Sequence, residues 1–467
     1  MESFLRAVWK RITLRRRFCK KPLNRVDEPG KYSYDMTLCA FVRKARVPEH
    51  STSRFRRNPE AGPGPVSGKA GSVDTTHKVI VRKGPDGYKI AREAMEALRL
   101  NMAEFKDKKI LIKPNAGRLA PPGTGINTNP EVAAAVLDFF LEKGIAGLAV
   151  GESPILGVKA LESLRISGIA KICGERGVRL IDLDAVPPVT VKIPGGALVD
   201  SLKVCREALD FDIIVSVPVM KTHMHTQVSL GLKNMKGCLY EREKVRLHQL
   251  PPSDKIEQPA KPLDMAIADM SRILLPGLTV IDGTRGQEGL GPSAGSPRDS
   301  ELVVASESCL AADWVAARLM GFRPEEIHHL RLAIEAHRNG PGALDIDGAG
   351  IETDPVDYMK WSCPYERPPS KISFKYKNVK VDDKDSCSAC LSTVLMLLKR
   401  YYGEYADYFT EENPLRLALG KGIGKQEKNT ILVGNCTIRM KDEGIFIKGC
   451  PPVASDIRKA INQLFKK

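Results

Sequence analysis

Four cysteines in the last hundred residues have neighbours and spacings that are typical of metal ligands. Cys387 and Cys390 stand three positions apart, just before an apolar stretch, so two thiolates can reach one metal centre. Cys436 and Cys450 each follow a predicted strand. In a parallel sheet both would emerge at the carboxyl edge, where α/β proteins build their sites. We therefore predict that these four thiols bind an iron–sulfur cluster, with 4Fe-4S as the default.

Zinc is the main alternative for this cysteine set. Closed zinc sites usually present two close cysteine pairs, whereas Cys436 and Cys450 are fourteen positions apart. A cysteine followed by proline, as in Cys450–Pro451, is frequent among iron–sulfur ligands. A redox-active dithiol and ordinary buried cysteines also stay open. Cys363 is a further candidate ligand, although a single cysteine beside aromatic residues is more often a small buried apolar side chain.

A second polar segment, VPVMKTHMHTQVSLGLKNMKGC, follows the apolar run FDIIVSVP. Its candidate catalytic or binding residues are Lys221, His223, His225, Lys233 and Asn234, which supply cationic donors, imidazoles and an amide. Together they predict a site for an anionic group such as a phosphate or carboxylate.

Several residues in and around this segment have other interpretations. His223 and His225 could share a metal if the segment is extended, but no carboxylate lies nearby in the sequence, and a satisfied pair of loop histidines is the simpler interpretation. Gly231 and Gly237 leave room for a close backbone approach, and nothing local marks Cys238 as an activated nucleophile.

Two further loops are expected to face the same cleft. LIKPNAG places Lys113 and Asn115 after a strand, and IDGTRGQEGLGP places Asp282 and Glu288 after another. Neither segment matches a known nucleotide-binding fingerprint, so the sequence predicts no specific nucleotide site.

The elements that must position these residues alternate between short β-rich runs and amphipathic helical stretches. That alternation predicts an α/β fold with Rossmann-like, mostly parallel sheets in two units and a small C-terminal α/β unit that carries the cysteines. The expected domains are residues 1–77, 78–357 and 358–467. The first is a basic extension and linker, which we expect to be disordered.

The charge distribution argues against a nucleic-acid groove. The net charge is +16, but residues 1–75 contain 17 Lys and Arg against 7 Asp and Glu, so only +6 remains for the other 392 residues. No stretch reaches the roughly 18–20 apolar residues of a membrane span. The N-terminal residues lack the apolar core of a secretory signal, which predicts a cytoplasmic protein with reduced thiols.

Several motifs together resemble the family known as domain of unknown function 362. They are KPN, GINTNPEV, VGESP, the KTH-to-KN segment and VIDGTRGQEGLGP followed by LAADWVAARLMGF, and they cover roughly residues 79–351. Members of that family often carry cysteine-rich iron–sulfur segments, so the resemblance implies a redox-active iron–sulfur protein of unassigned substrate. This sequence lacks the tight ferredoxin run C-x2-C-x2-C-x3-C, which puts a ferredoxin-type insert in doubt.

These observations favour an iron–sulfur oxidoreductase or electron-transfer component that acts on a small anionic substrate or meets a redox partner protein. The alternative is a metal- or phosphate-dependent transferase or hydrolase with a structural zinc. A third hypothesis is a non-enzymatic assembly factor whose basic tail binds acidic partners. The sequence does not indicate the substrate or the oligomeric state.

Overall fold

The structure is a computed structural model that describes residues 76–251, 253–257, 259–340, 343–368, 376–386 and 388–465, without the side chains of residues 388 and 389. The predicted N-terminal extension and linker up to residue 75, and the predicted ligand Cys387, lie outside the described residues. All described residues belong to one compact unit. None of the helices within these ranges is both long and apolar enough to cross a bilayer.

The strands form one large sheet, one small sheet and a separate hairpin. Their bounds are β1 (His77–Lys83), β2 (Ile110–Pro114), β3 (Leu148–Glu152), β4 (Arg179–Asp182), β5 (Val189–Lys192), β6 (Ser201–Val204), β7 (Ile213–Val217), β8 (Val219–His223), β9 (Gln227–Ser229), β10 (Leu278–Glu288), β11 (Ser296–Ser306), β12 (Ile351–Asp354), β13 (Val379–Asp383), β14 (Leu415–Leu419), β15 (Thr430–Val433) and β16 (Ile445–Ile447).

The α-helices are mostly crossover connections between these strands. Their bounds are α1 (Gly87–Leu98), α2 (Met102–Phe105), α3 (Pro130–Glu142), α4 (Ala160–Ile166), α5 (Ile169–Glu175), α6 (Arg206–Leu209), α7 (Gly231–Asn234), α8 (Glu243–His248), α9 (Pro262–Ser271), α10 (Cys309–Leu319), α11 (His328–Ala336), α12 (Ser388–Tyr405) and α13 (Ala454–Phe465). Short 3₁₀ turns include Met235–Cys238 and Asn435–Met440.

The large sheet has ten strands, in the order β12-β1-β11-β10-β7-β2-β3-β4, with β8 pairing to β10 and β9 to β8. Its centre is parallel, and its β1–β11, β10–β11 and β8–β9 pairs are antiparallel. Every residue of β2 and β3 is buried, as expected for parallel strands covered on both faces. The predicted α/β class with mostly parallel sheets is confirmed, but the strands after residue 263 join the same sheet as the earlier ones.

The small sheet, β13-β14-β15-β16, is entirely parallel. Helices α12 and α13 pack on it, and residues Val394, Leu395, Leu417 and Val433 lie in its apolar core. Leu290 and Ala294 from the large-sheet region belong to the same core. The cysteine-bearing sheet is therefore packed directly on the loop that follows β10.

Candidate functional site: a basic pocket beside the cysteine loops

A buried ion pair lies at the carboxyl ends of the adjacent strands β2 and β3. Lys113 Nζ is 2.8 Å from Glu152 Oε1, and the two side chains are 1% and 2% exposed. Glu152 Oε2 accepts a hydrogen bond from the Ala116 amide at 2.7 Å, and Lys113 Nζ donates to Pro114 O at 2.6 Å. The remaining polar atoms of the pair are thus also engaged, which a buried pair needs in order to be tolerated.

The Lys113–Glu152 pair leaves no room for a side chain at Gly237. A Cβ atom added to Gly237 would stand 2.5 Å from Lys113 Cε and 2.6 Å from Glu152 Oε1. Real Cβ atoms do not approach other atoms this closely, so any side chain here would displace the pair.

Lys221 lies in β8, is buried, and contacts neutral acceptors. Its Nζ donates to Asn115 Oδ1 at 2.5 Å and to Ile126 O at 2.9 Å. Burial, together with the charge of Arg118, lowers the pKa of Lys221 to about 7. An ammonium group in this position is near its titration point at neutral pH.

Amide side chains connect Lys221 to the strand ends. Asn115 Nδ2 donates to Asn234 Oδ1 at 3.3 Å, and Asn234 Nδ2 donates to Lys113 O at 3.0 Å and to Ser216 Oγ at 3.1 Å. Asn115 therefore has its oxygen directed at Lys221, and both amide groups are held by their neighbours.

Lys233 is positioned by the short helix α7. The amides of Gly231 and Leu232 donate to Asp313 Oδ1 and Oδ2 at 2.6 and 2.9 Å, so a carboxylate from α10 caps this helix. Burial raises the pKa of Asp313 to about 7. Burial and the nearby Lys236 and Lys221 charges hold the pKa of Lys233 well below its ordinary value.

The two histidines of the KTH segment have different positions. His223 Nδ1 accepts a hydrogen bond from the His225 amide at 3.1 Å, which leaves the proton of the neutral ring on Nε2. Burial keeps the pKa of His223 well below its ordinary value. His223 lines the pocket described below, whereas His225 is not among its lining residues.

These groups surround one cavity of about 210 Å³. Lys221, His223, Lys233 and Asn234, predicted from the sequence, line it, as do Lys113 and Asn115. Asp282 and Glu288 do not. Asp282 accepts from the amides of Asn129 and Thr284, and Glu288 Oε2 accepts from the Glu366 amide, so both hold loops in place.

Sequence reasoning missed Glu152 and four basic groups that line this cavity. The basic groups are Arg118, Lys236, Lys244 and His248. Lys236 Nζ lies 2.8 Å from His248 Nε2, and burial holds the pKa of His248 well below its ordinary value. Lys236 belongs to the segment that the sequence singled out, but His248 comes from α8, where no motif marks it.

The cysteine loops lie at the carboxyl edge of the small sheet, as predicted. Cys390, in the first turns of α12, is 6% exposed, and its Sγ would be 2.9 Å from a Cβ added to Gly434. The Asn435 amide donates to Gly449 O, and the Gly449 amide donates to Asn435 Oδ1, both at 2.8 Å. The loops that carry Cys436 and Cys450 are therefore fastened together next to Cys390.

A metal geometry is not evident from the described cysteines by themselves. Within the described ranges, no group of three or more His, Cys, Asp or Glu residues is arranged to hold a metal ion. The fourth predicted ligand, Cys387, is outside those ranges. Gln249 Nε2 lies 3.3 Å from Cys450 Sγ, so a side chain from the large-sheet region reaches this edge.

The pocket and the cysteine loops share a wall. Thr393, three positions after Cys390, and Pro451, directly after Cys450, both line the cavity. Residues close in the chain to Cys390 and Cys450 therefore form part of the pocket wall.

The sequence of this region matches a known family. Residues 110–318 match the profile described as Domain of unknown function (DUF362). The matched residues make up less than half of the chain. The match includes Lys113, Glu152, Lys221, His223, Lys233, Asn234 and Asp313. The cysteine loops, and the walls that Thr393 and Pro451 contribute, lie outside the DUF362 match.

A curated relative of this chain is a thylakoid-associated protein of Synechocystis sp.. It is 29% identical over 225 residues, which are 47% of this chain and 65% of the relative. The match thus spans less than two thirds of that protein's length.

Two solved structures are similar to about half of the chain. One is a protein of Thermotoga maritima from structural genomics, with 18% identity, a TM-score of 0.32 and coverage of 51% of this chain and 60% of that one. The other is the lactate racemase apoprotein of Thermoanaerobacterium thermosaccharolyticum, with 11% identity, a TM-score of 0.34 and coverage of 52% and 57%.

Proposed function

We propose that this protein binds an iron–sulfur cluster through Cys387, Cys390, Cys436 and Cys450 and exchanges electrons with a small organic anion in the basic pocket. The observation that carries the proposal is the shared wall between the two sites. Pro451 adjoins Cys450 in the chain and also lines the pocket. A cluster bound by Cys450 would therefore be attached to the chain one residue away from the pocket wall.

The described cysteine loops are suited to a thiolate-bound group. Gly434 has a φ of 92° and lies against Cys390 Sγ, so a larger residue would close the space around the thiol. The Asn435–Gly449 hydrogen bonds fix the other two loops beside it. An iron–sulfur cluster held there would supply one-electron transfer.

The cations of the pocket support an anionic ligand. Lys221 donates to the side-chain oxygen of Asn115 and to a backbone carbonyl, and Lys233 Nζ lies 3.4 Å from Ser229 Oγ. These acceptors are neutral, and buried charges in proteins are normally paired with opposite charges. A carboxylate or phosphate in the cavity would give both ammonium groups a negatively charged hydrogen-bond acceptor.

The walls of the cavity limit the size and character of that ligand. Ile155, Leu230 and Val245 contribute apolar surface, and the volume of about 210 Å³ suits a small molecule. We infer a compact organic anion with a short apolar portion.

Two residues are suited to moving a proton during the reaction. Lys221, with a pKa of about 7, exchanges its proton readily near neutral pH. Neutral His223 can donate from Nε2. A redox change on the bound anion could therefore be accompanied by protonation from the pocket wall.

Metal analysis of anaerobically purified full-length protein tests this proposal. We expect about four iron and four sulfide per chain and a broad visible absorption from thiolate-bound iron. Substitution of Cys390, Cys436 or Cys450 by serine should lower the bound iron severalfold. The matched control is Cys363→Ser, since Cys363 Sγ accepts from Arg298 Nε at 3.2 Å, away from these loops.

The same analysis decides the alternative. One zinc per chain without iron or sulfide would overturn the redox proposal and favour a transferase or hydrolase with a structural zinc. The cytoplasmic location stays a prediction, and the thylakoid association belongs to the relative.

A further inference from the structure

Two large apolar side chains are exposed beside the cysteine loops. Ile438 is 55% exposed and lies two positions after Cys436, and Val453 is 60% exposed and lies three positions after Cys450. Because the Asn435 and Gly449 backbones are hydrogen-bonded, the two segments are neighbours at this edge. Exposed apolar groups rimmed by charge are typical of protein-binding surfaces.

The charges around these side chains are predominantly positive. Residues 421–453 contain six Lys and Arg against three Asp and Glu, and Arg439, Lys441 and Lys448 are all exposed. One of the three acidic residues, Glu443, accepts a hydrogen bond from the Gln426 amide at 2.8 Å, and another, Glu427, pairs with Arg416 at 2.7 Å. Glu427 and Asp442 are also exposed, but the exposed Lys and Arg residues of this segment outnumber them five to two.

This surface and the pocket have different positions relative to Cys450. Pro451, the next residue, lines the pocket, whereas Val453 faces solvent. A partner protein bound to the solvent-facing segment would thus approach the thiol ligands without entering the pocket.

We propose that Ile438, Arg439, Lys441, Lys448 and Val453, here called the carrier face, bind an acidic one-electron carrier protein. The inference rests on the proposed iron–sulfur cluster. Each docking event would move one electron from the reduced carrier to the cysteine-bound centre, so the carrier is oxidised by one electron and the centre is reduced by one. The cations steer the acidic partner, and the two apolar side chains form the centre of the contact.

The test uses full-length, cluster-loaded protein and reduced plant-type ferredoxin, an acidic carrier, mixed in a stopped-flow instrument at low salt. The variant is R439E/K441E/K448E. We expect its bimolecular reduction rate to fall about tenfold or more, because oppositely charged partners gain 10–10³ in rate from steering. Raising the salt should shrink this difference.

Two controls separate docking from damage. Reduction by dithionite and the visible spectrum should be unchanged in the variant. The matched variant K106E/K108E/K171E reverses three exposed charges around the large sheet and should keep the wild-type rate with ferredoxin. Titration calorimetry with gallium-substituted ferredoxin, which transfers no electron, should show weaker binding for the carrier-face variant alone.

The outcomes distinguish this inference from the proposed function. Loaded protein whose carrier-face variant binds ferredoxin and is reduced at the wild-type rate overturns the docking surface and leaves the cluster intact. Protein that contains no iron overturns the proposed function and this inference with it.

Discussion

Lys113 Nζ and Glu152 Oε1, from neighbouring parallel strands, form a contact of 2.8 Å that is almost completely hidden from solvent. The two residues are separated by 39 positions in the sequence and meet because β2 and β3 pair in register, with Ile112 opposite Val150. Their ion pair forms part of the pocket wall, close to Lys221 and Asn234.

Removing one partner of this pair should be strongly destabilising. Glu152→Gln leaves the Lys113 charge buried without a counter-charge, and breaking buried pairs typically costs about 3–5 kcal/mol. The free energy of unfolding from urea titration measures this loss. The matched control is Asp299→Asn, which breaks the exposed Arg285 pair and should cost less than about 1 kcal/mol.

The double variant K113M/E152L adds a second comparison. Replacing a buried ion pair with apolar residues of similar volume is often neutral, so the double variant should be more stable than Glu152→Gln. A double variant that is less stable than the single one would show that the pair's hydrogen bonds, rather than its charges, dominate.

Anion binding should weaken as the pH rises above about 7. The bound anion favours the Lys221 ammonium, whose pKa in the free protein is about 7. Once this group has lost its proton, binding must take one up, so affinity should fall about tenfold per pH unit. Calorimetry with sulfate, which stays dianionic across this range, measures both the affinity and the proton uptake.

Lys221→Gln should weaken sulfate binding at pH 6 and flatten this pH dependence. Lys171→Gln, at an exposed position of α5, is the control and should leave both unchanged. If the Lys221 variant kept the wild-type pH profile, another group would control anion binding.

The lowered pKa of Lys221 also predicts how the free energy of unfolding changes with pH. The folded pKa of Lys221 is below its ordinary value of 10.5, so the unfolded chain binds more protons between about pH 7 and 10.5. The contribution of this residue to stability is therefore least favourable below pH 7 and improves as the pH rises through that window. The difference between wild type and Lys221→Gln in urea titrations should follow this trend.

Gly237→Ala should damage the pocket with little change elsewhere. Its methyl group would displace Lys113 and Glu152, so we expect lower stability, by about 1–3 kcal/mol for overpacking, and weaker sulfate binding. Gly174→Ala, in α5, has no atom within 4 Å of the new Cβ. That control should be neutral or stabilising by about 0.4–1 kcal/mol.

Sequence periodicity predicted the central elements well. Runs such as FDIIVSVP and KKILIKP became β7 and β2, because continuous apolar β-branched residues suit strands buried on both faces. The polar residues that follow these strands lie at the sheet edge, which is why Lys113, Asn115, Lys233 and Asn234 could be expected to meet.

Contacts between segments that are distant in the chain determined the parts of the structure that the sequence could not predict. The KTH residues form β8 because β10 extends to Glu288 and offers them a partner. The glycine-rich segment after Asp282 is strand as far as Glu288, because it pairs antiparallel with β11, and of the predicted loop only its last residue, Pro292, lines the pocket. His248 joined the pocket only because α8 packs beside it, and no local pattern indicates such a contact.

The position of β1 affects how this protein can be cut into pieces for experiments. This strand lies between β11 and β12 in the sheet but precedes residue 110 in the chain. A fragment limited to residues 110–318 would lack both β1 and β12 and would leave the backbone of β11 unpaired along one side. Exposed strand edges of that kind pair with other chains, so such a fragment should aggregate. A fragment intended for expression should therefore start before His77.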